Sequence, residues 1–219
     1  MAERIASLLP SATEILCALG LAERIVGVSH ECDFPSAIRG RPVLTEPKID
    51  PRGTSIAIDA AVRGLVRDGL SVYRIREADL RAARPDLIVT QEHCEVCAVS
   101  FAEVEQAARA LLDAPAAIVS LKPNRLDDVL ADFGRVGSAA GIEAVGVRLI
   151  ADSRARLERL RTRLRHARSR PRVACIEWLD PLMAAGNWVP ELVELGGGVY
   201  ELAAAGQHSP MIGWDDLCA

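Results

Sequence analysis

Lysine is nearly absent from this chain. It occurs only at Lys48 and Lys122, so arginine supplies the rest of the 26 basic residues. Aromatic residues are also scarce, at 4%. No apolar run approaches the roughly 18 to 20 residues that a membrane-crossing helix needs, which argues against a membrane span. The net charge of −4 argues against a general nucleic-acid binder. Six cysteines in 219 residues are too few for a disulfide scaffold. Met1 to Ile5 lacks the basic stretch and following apolar run of a signal peptide. The expectation is a cytoplasmic protein with reduced thiols; a leader missing from this chain would make it periplasmic or lipid-anchored. An apolar share of 50% beside 26% charged residues excludes a disordered or collagen-like chain. The length suits one large domain or two small ones.

What is present alternates. Arg4 to Leu9 reads as a strand. Ser11 and Glu14 then have capping-box spacing, Ala12, Ile15, Leu16 and Leu19 follow at helical spacing, and Gly20 ends the helix. Strands are expected at Arg24–Val28, Ser71–Ile75, Asp86–Thr90 and Ala116–Leu121. Helices are expected at Ser55–Arg67, Glu77–Ala83 and after a second capping box at Ser100 and Glu103. This is an α/β pattern with a parallel sheet covered by helices. Leu126, Val129, Leu130, Phe133 and Val136 mark a further helix. Glu143 to about Ala167 reads as one long helix of roughly 37 Å, a strut that could join two lobes. Arg172–Glu177 reads as a strand opening a second α/β segment, with a helix near Val189–Leu195. The division expected is an N-terminal α/β lobe at 1–125, connecting helices at 126–170 and a small C-terminal α/β lobe at 171–219.

Ligands of open α/β sheets bind at the carboxyl ends of the strands. The residues just after each expected strand are therefore the candidates. They are Pro10-Ser11, the loop Ser29-His30-Glu31-Cys32-Asp33, the loop Gln91 to Cys97, and Glu177-Trp178 with Asn187-Trp188 close behind. Cys94 and Cys97 form a C-x-x-C pair, which can hold a soft metal, cycle as a dithiol, or pack as plain thiols. His30, Cys32 and His93 could complete a metal set if the loops converge. His30 beside Cys32 also suggests a nucleophile with its base, although residues two apart in a loop rarely reach the needed geometry. Trp178 and Trp188 suit a flat, partly apolar ligand, since the ring stacks and the N–H anchors. Nine arginines between Arg154 and Arg172 read as a solvated helix face.

Several segments together resemble a known family. They are IASLLPSATEILCALGL at 5–21, IVGVSHECDFP at 25–35, PDLIVTQEHCEVCAVS at 85–100, IVSLKP at 118–123, EWLDP at 177–181 and GNWVPELVELGGG at 186–198. The chain resembles the cobalamin-binding branch of the class III substrate-binding proteins that serve ABC importers of cobalamin and iron–siderophores. The resemblance implies two Rossmann-like lobes joined by a long rigid α-helix, with the ligand in the cleft between them. It implies ligand contacts from Ser11, Thr13, His30, Glu31, Cys32, Gln91, Cys94, Cys97, Glu177, Trp178, Asn187 and Trp188, and no catalytic residue. Family members continue past the position of Trp214, so the second lobe is expected to be incomplete. A leaderless branch is similar.

The leading expectation is a non-enzymatic binding protein for cobalamin or a related corrinoid or metal chelate. It would pass that ligand to an ABC importer permease or hold it in the cell, with no required cofactor. The alternative is a metal-binding enzyme or chelatase-like protein using His30, Cys32, His93, Cys94 and Cys97, with Cys94 and Cys97 as metal ligands. A truncated, inactive relative is a third reading.

Overall fold

The computed structural model describes residues 1–68, 70–92, 99–165, 167 and 169–218. The chain runs β1 (Ile5–Ser7), α1 (Pro10–Ala18), β2 (Ile25–Val28), β3 (Thr45–Pro47), α2 (Ser55–Arg67), β4 (Tyr73–Ile75), α3 (Glu77–Ala83), β5 (Leu87–Gln91), α4 (Phe101–Leu111) and β6 (Ala117–Leu121). It continues through α5 (Leu126–Ala139), α6 (Glu143–Leu164), β7 (Ile176–Leu179), β8 (Leu182–Ala184), α7 (Val189–Leu195) and α8 (Trp214–Cys218). Among the described residues no helix is long and apolar enough to cross a membrane.

The main sheet is parallel, in the order β2-β1-β5-β6. Each of its strands is short and apolar, as expected when both faces are covered. Side chains alternate between two cores. Ile5, Leu87 and Val89 face α1 and α5, meeting Ala12, Ile15, Leu16 and Val136. Ala6 and Ile88 face α3 and α4, meeting Leu80, Ala83, Val104 and Ala108. Ser100 caps α4 as its spacing predicts, its Oγ accepting from the Glu103 N–H at 3.2 Å. At α1 the expected capping box does not form. Leu9 holds the N-cap position and Pro10 the first turn, where proline's fixed φ suits it. Ser11 therefore lies inside the helix and caps nothing. Beside β2, β3 pairs antiparallel with β4 and was not foreseen, being only three residues long.

Glycine sets the crossing of α5 and α6. A Cβ at Gly146 would stand 2.8 Å from the Phe133 carbonyl oxygen, and one at Gly137 would stand 3.2 Å from the Gly146 Cα. The backbones can approach this closely only because neither position carries a side chain. Helix α6 is 22 residues, about 33 Å, slightly shorter than its apolar spacing suggests. Gly146 is its one buried position, so the rest of the strut has an exposed or half-exposed surface.

The C-terminal segment corrects one expectation. The strand expected over Arg172–Glu177 begins only at Ile176 and does not open a βαβ segment. Instead β7 and β8 form an antiparallel pair turned by Asp180-Pro181. The Cys175 carbonyl is taken by the Ala185 N–H and by the Tyr200 hydroxyl, which leaves that stretch without a free strand edge. A trace of parallel pairing survives where Val199 bridges Arg172 after α7. This segment meets the rest of the chain at defined points. The Leu126 N–H donates to Glu191 Oε2 at 2.8 Å, and an Arg125 guanidinium N–H donates to the Ala205 carbonyl at 3.1 Å.

The α5–α6 contact is open to test by thermal melting. Gly146→Ala is expected to cost about 1–3 kcal/mol by overpacking, lowering Tm by roughly 2–4 °C for each kcal/mol. Gly64→Ala in α2, where a Cβ meets nothing within 4 Å, is expected to raise Tm.

Candidate functional site

The strand order places a topological switch at β1. One crossover from β1 leads outward to β2, and the later chain returns to add β5 on the other side. The crevice beyond the carboxyl ends of β1 and β5 is where such sheets bind ligands. Leu9, Pro10 and Ser11 follow β1 into that region, and Glu92 follows β5. The loop after β2 carries His30, Glu31 and Cys32 beside them.

Two chains of hydroxyl groups hold that loop. In the first, Thr13 Oγ1 donates to Ser7 Oγ at 2.8 Å and lies 3.1 Å from Cys32 Sγ. Thr13 and Ser7 are fully buried. Thr13 therefore supports Cys32 from beneath rather than facing open solvent. Burial pushes the Cys32 thiol above its ordinary pKa, outweighing the stabilising contact from Thr13. In the second chain, Thr45 Oγ1 donates to Ser29 Oγ at 3.1 Å. The same Thr45 oxygen accepts from the His30 backbone N–H at 3.1 Å and lies 2.8 Å from His30 Nδ1. With the hydroxyl proton of Thr45 directed at Ser29, the network assigns the imidazole proton to Nδ1.

The imidazole is fixed from a second side. Tyr73 packs edge-on against it, with ring centroids 4.8 Å apart. The Tyr73 hydroxyl donates to Glu31 Oε1 at 3.0 Å. Glu31 Oε1 is 3.8 Å from His30 Nε2, beyond hydrogen-bond reach. Burial lowers the His30 pKa, opposed more weakly by Glu31 and Glu46. Burial thus favours the neutral ring, with Nδ1 occupied.

The C-terminal residues approach from another direction. Trp178 Nε1 donates to the Ser55 carbonyl at 3.3 Å and to the Asp180 carbonyl at 3.0 Å. Ser55 opens α2, the helix between the strands that carry Thr45 and Tyr73. Arg63 of α2 reaches Met211 Sδ at 3.9 Å. Asn187 takes a positive φ of 51° and is bound into the 206–207 loop through its own N–H and carbonyl. Trp188 is half-buried at the start of α7, and Glu177 is exposed. Gln91 ends β5 opposite Leu121, and the neighbouring Glu92 pairs with Lys122 at 2.5 Å. Cys94 and Cys97, expected as ligand or metal contacts, lie outside the described residues, as does His93.

Thr45 and Tyr73 were not foreseen as site residues. Their signal is weak, since they sit on three-residue strands 15 and 43 positions from His30. Among the described residues no group of three or more His, Cys, Asp or Glu side chains could hold a metal ion. A groove of about 760 Å³ lies elsewhere, between α5, α6 and α7. Leu126, Leu157 and Leu164 line it with ion pairs such as Arg154–Asp127 and Arg161–Glu158. None of the strand-end residues reaches it.

No protein-family model matches the chain, and no curated protein matches it. Solved structures do. The fold is similar to a possible iron-binding periplasmic solute-binding protein of Staphylococcus epidermidis, at 19% identity and a TM-score of 0.68, covering 99% of this chain and 73% of that one. It is similar to the periplasmic vitamin B12 binding protein of Vibrio cholerae, at 23% identity and a TM-score of 0.65, covering 99% of this chain and 72% of that one. It is also similar to the periplasmic heme-binding protein of Roseiflexus sp. RS-1 in its apo form, at 25% identity and a TM-score of 0.64, covering 91% and 65%. The chain has the class III periplasmic-binding-protein fold and spans about 65 to 73% of the length of these neighbours. The neighbours are solute-binding proteins, not enzymes.

Two measurements follow from this chemistry. With the Cys32 pKa raised, its alkylation by iodoacetamide at neutral pH is expected to lag well behind that of the exposed Cys218, read by peptide mass mapping. Equal rates would contradict the buried setting of Cys32. For His30 the lowered pKa fixes the sign of a pH effect. As pH falls through the ordinary histidine range, the unfolded chain binds the proton before the folded one does. The contribution of His30 is therefore complete above that range and is lost on acidification. Denaturant melts of the parent and of His30→Gln should converge as pH drops from neutral toward 5. A gap that widens would contradict the assignment.

Proposed function

We propose that this chain is a non-enzymatic binding protein for a planar metal chelate of the corrinoid or heme class. The observation that carries the reading is the arrangement at the carboxyl end of the sheet. A few fixed polar groups, His30, Glu31 and Thr45, stand there beside the aromatic Tyr73. Trp178 reaches from the C-terminal segment to the start of α2. Sparse, oriented polar groups with aromatic faces suit a large flat ligand better than a small sugar or amino acid, whose many polar atoms need many partners. The neighbouring structures support the chelate class through their own ligands, iron, vitamin B12 and heme. Within that class a cobalamin-like corrinoid is the narrower proposal, resting on the segments at 5–35 and 85–100. The protein would hand its ligand to an ABC importer permease or hold it in the cell. We assign the ligand to the junction of residues 1–125 with 171–219, the connecting helices at 126–170 serving as spacer. The candidate contacts are Ser11, His30, Glu31, Gln91, Trp178, Asn187 and Trp188, with Thr13 and Cys32 shaping the loop from behind.

The test is a titration of the purified protein with cobinamide, hemin and metal-free protoporphyrin IX, followed by tryptophan fluorescence and absorbance. Saturable binding near one per chain at micromolar concentration is expected for at least one of them. Trp178→Phe is expected to lose a measurable part of the quenching. A folded protein that binds none of the three at these concentrations would overturn the reading.

A further inference from the structure

We infer that one flank of α6 is a docking surface for the anionic face of a lipid bilayer. The nine arginines between Arg154 and Arg172 share that stretch with a single acid, Glu158, in a chain whose net charge is −4. The rest of the chain is therefore strongly acidic, and positive charge is gathered on the strut. The structure divides the arginines of α6 into two sets. Arg154, Arg161 and Arg165 stand on the flank that lines the groove beside α5 and α7, where Asp127 and Glu158 neutralise them at 3.5 to 3.7 Å. Arg148, Arg156, Arg159 and Arg163 are exposed, and among the described residues no carboxylate lies within ion-pair reach of them.

Helical periodicity gathers this second set. With 3.6 residues per turn, positions 148, 156, 159 and 163 fall within about 80° of arc and span about 22 Å along the axis. The arc is turned away from Leu157 and Leu164, which face the groove. Asp152 is the one acid on it, so arginine prevails along its whole length. The exposed apolar side chains of Val145 and Leu160 border the same arc. Gly146 is the one buried position of α6, so the helix stands at the surface of the molecule and presents this flank outward.

Charge complementarity and shape then select the partner. At physiological ionic strength a charge is felt over only about 8 Å. A planar anionic surface laid against the arc comes within that range of the four arginines. The acidic remainder of the chain is held behind a helix about 10 Å thick, where its repulsion is screened. Guanidinium groups bind phosphate oxygens in pairs of hydrogen bonds and stay charged at every physiological pH, so the attraction is set by salt and lipid charge. Val145 and Leu160 can sink to the boundary of the headgroups and acyl chains, a contact that the backbone of a nucleic acid does not offer. A nucleic acid also draws on phosphate contacts spread over several faces, and the other faces here are acidic. This surface is separate from the strand-end crevice and does not depend on the chelate reading.

The experiment sediments the full chain with vesicles of phosphatidylcholine, alone or with one third phosphatidylglycerol, in about 0.05 M salt, where screening is weak. The parent should bind the anionic vesicles and not the neutral ones, and about 0.5 M salt should release it. The triple variant Arg156→Gln, Arg159→Gln, Arg163→Gln should lose about fiftyfold or more, since each arginine near the surface is worth about fivefold. The triple variant Arg154→Gln, Arg161→Gln, Arg165→Gln removes the same charge from the groove flank and should stay within about threefold of the parent. Glutamine is a good helix former, so both should keep the parent's helical content by circular dichroism. Arg156→Lys, Arg159→Lys, Arg163→Lys keeps the charge and should retain most of the binding. A short duplex DNA is added as competitor at equal phosphate concentration. The inference is overturned if the parent does not bind anionic vesicles, or binds neutral ones as well. Equal losses in the two glutamine variants would overturn it too, as would displacement of the vesicles by the duplex.

Discussion

The strand that everything else is built around has three residues. Ile5, Ala6 and Ser7 of β1 are all fully buried and pair in parallel with β2 on one side and β5 on the other. Each side chain has a different task. Ile5 fills the core under α1 and α5, Ala6 fills the one above α3 and α4, and Ser7 supplies a buried hydroxyl. Because β1 sits where the strand order reverses, its carboxyl end opens onto the crevice. The Ser7 hydroxyl accepts from Thr13, which in turn contacts Cys32, so the same short strand that joins the two cores also anchors the loop that carries His30. A packing fault at β1 would therefore reach the site through a path of two contacts.

The fold was legible where the signals were local and repeated. Helices at Ser55–Arg67, Glu77–Ala83 and Val189–Leu195 were readable from apolar spacing and breakers, and the apolar run at Leu87–Gln91 marked a strand covered on both faces. Reading failed where a tertiary partner decided the outcome. Ser11 looked like a cap, but the helix starts two residues earlier, with Leu9 at the N-cap and Pro10 in the first turn. Thr45–Pro47 is too short to show a period, and only its pairing with Tyr73–Ile75 makes it a strand. Arg172–Glu177 looked like a strand along its whole length, yet the polar atoms of its first part are spent on Ala185, Val199 and Tyr200 and the strand begins only at Ile176. Its antiparallel partner arises from the turn at Asp180-Pro181.

The candidate site divides in the same way. His30, Glu31 and Cys32 were visible because polar residues with ligating chemistry follow directly on an apolar strand. Their supports were not visible. Thr45 and Tyr73 lie on another sheet element, and nothing in their own neighbourhood marks them. Thr13 was expected as a cleft residue from the family resemblance, although its position in the first turns of α1 aims it inward. Sequence position thus pointed to the region, and only the fold could separate a residue that faces the crevice from one that holds it up.

The contrast between His30 and Cys32 shows how the fold assigns different chemistry to near neighbours. Both side chains are withdrawn from water, and burial acts on them oppositely because the charged form of one is a cation and of the other an anion. For histidine, disfavouring the cation leaves a neutral ring with a usable lone pair. For cysteine, disfavouring the anion leaves a thiol with little nucleophilic or ligating strength. The same low polarity therefore readies one group and quiets the other.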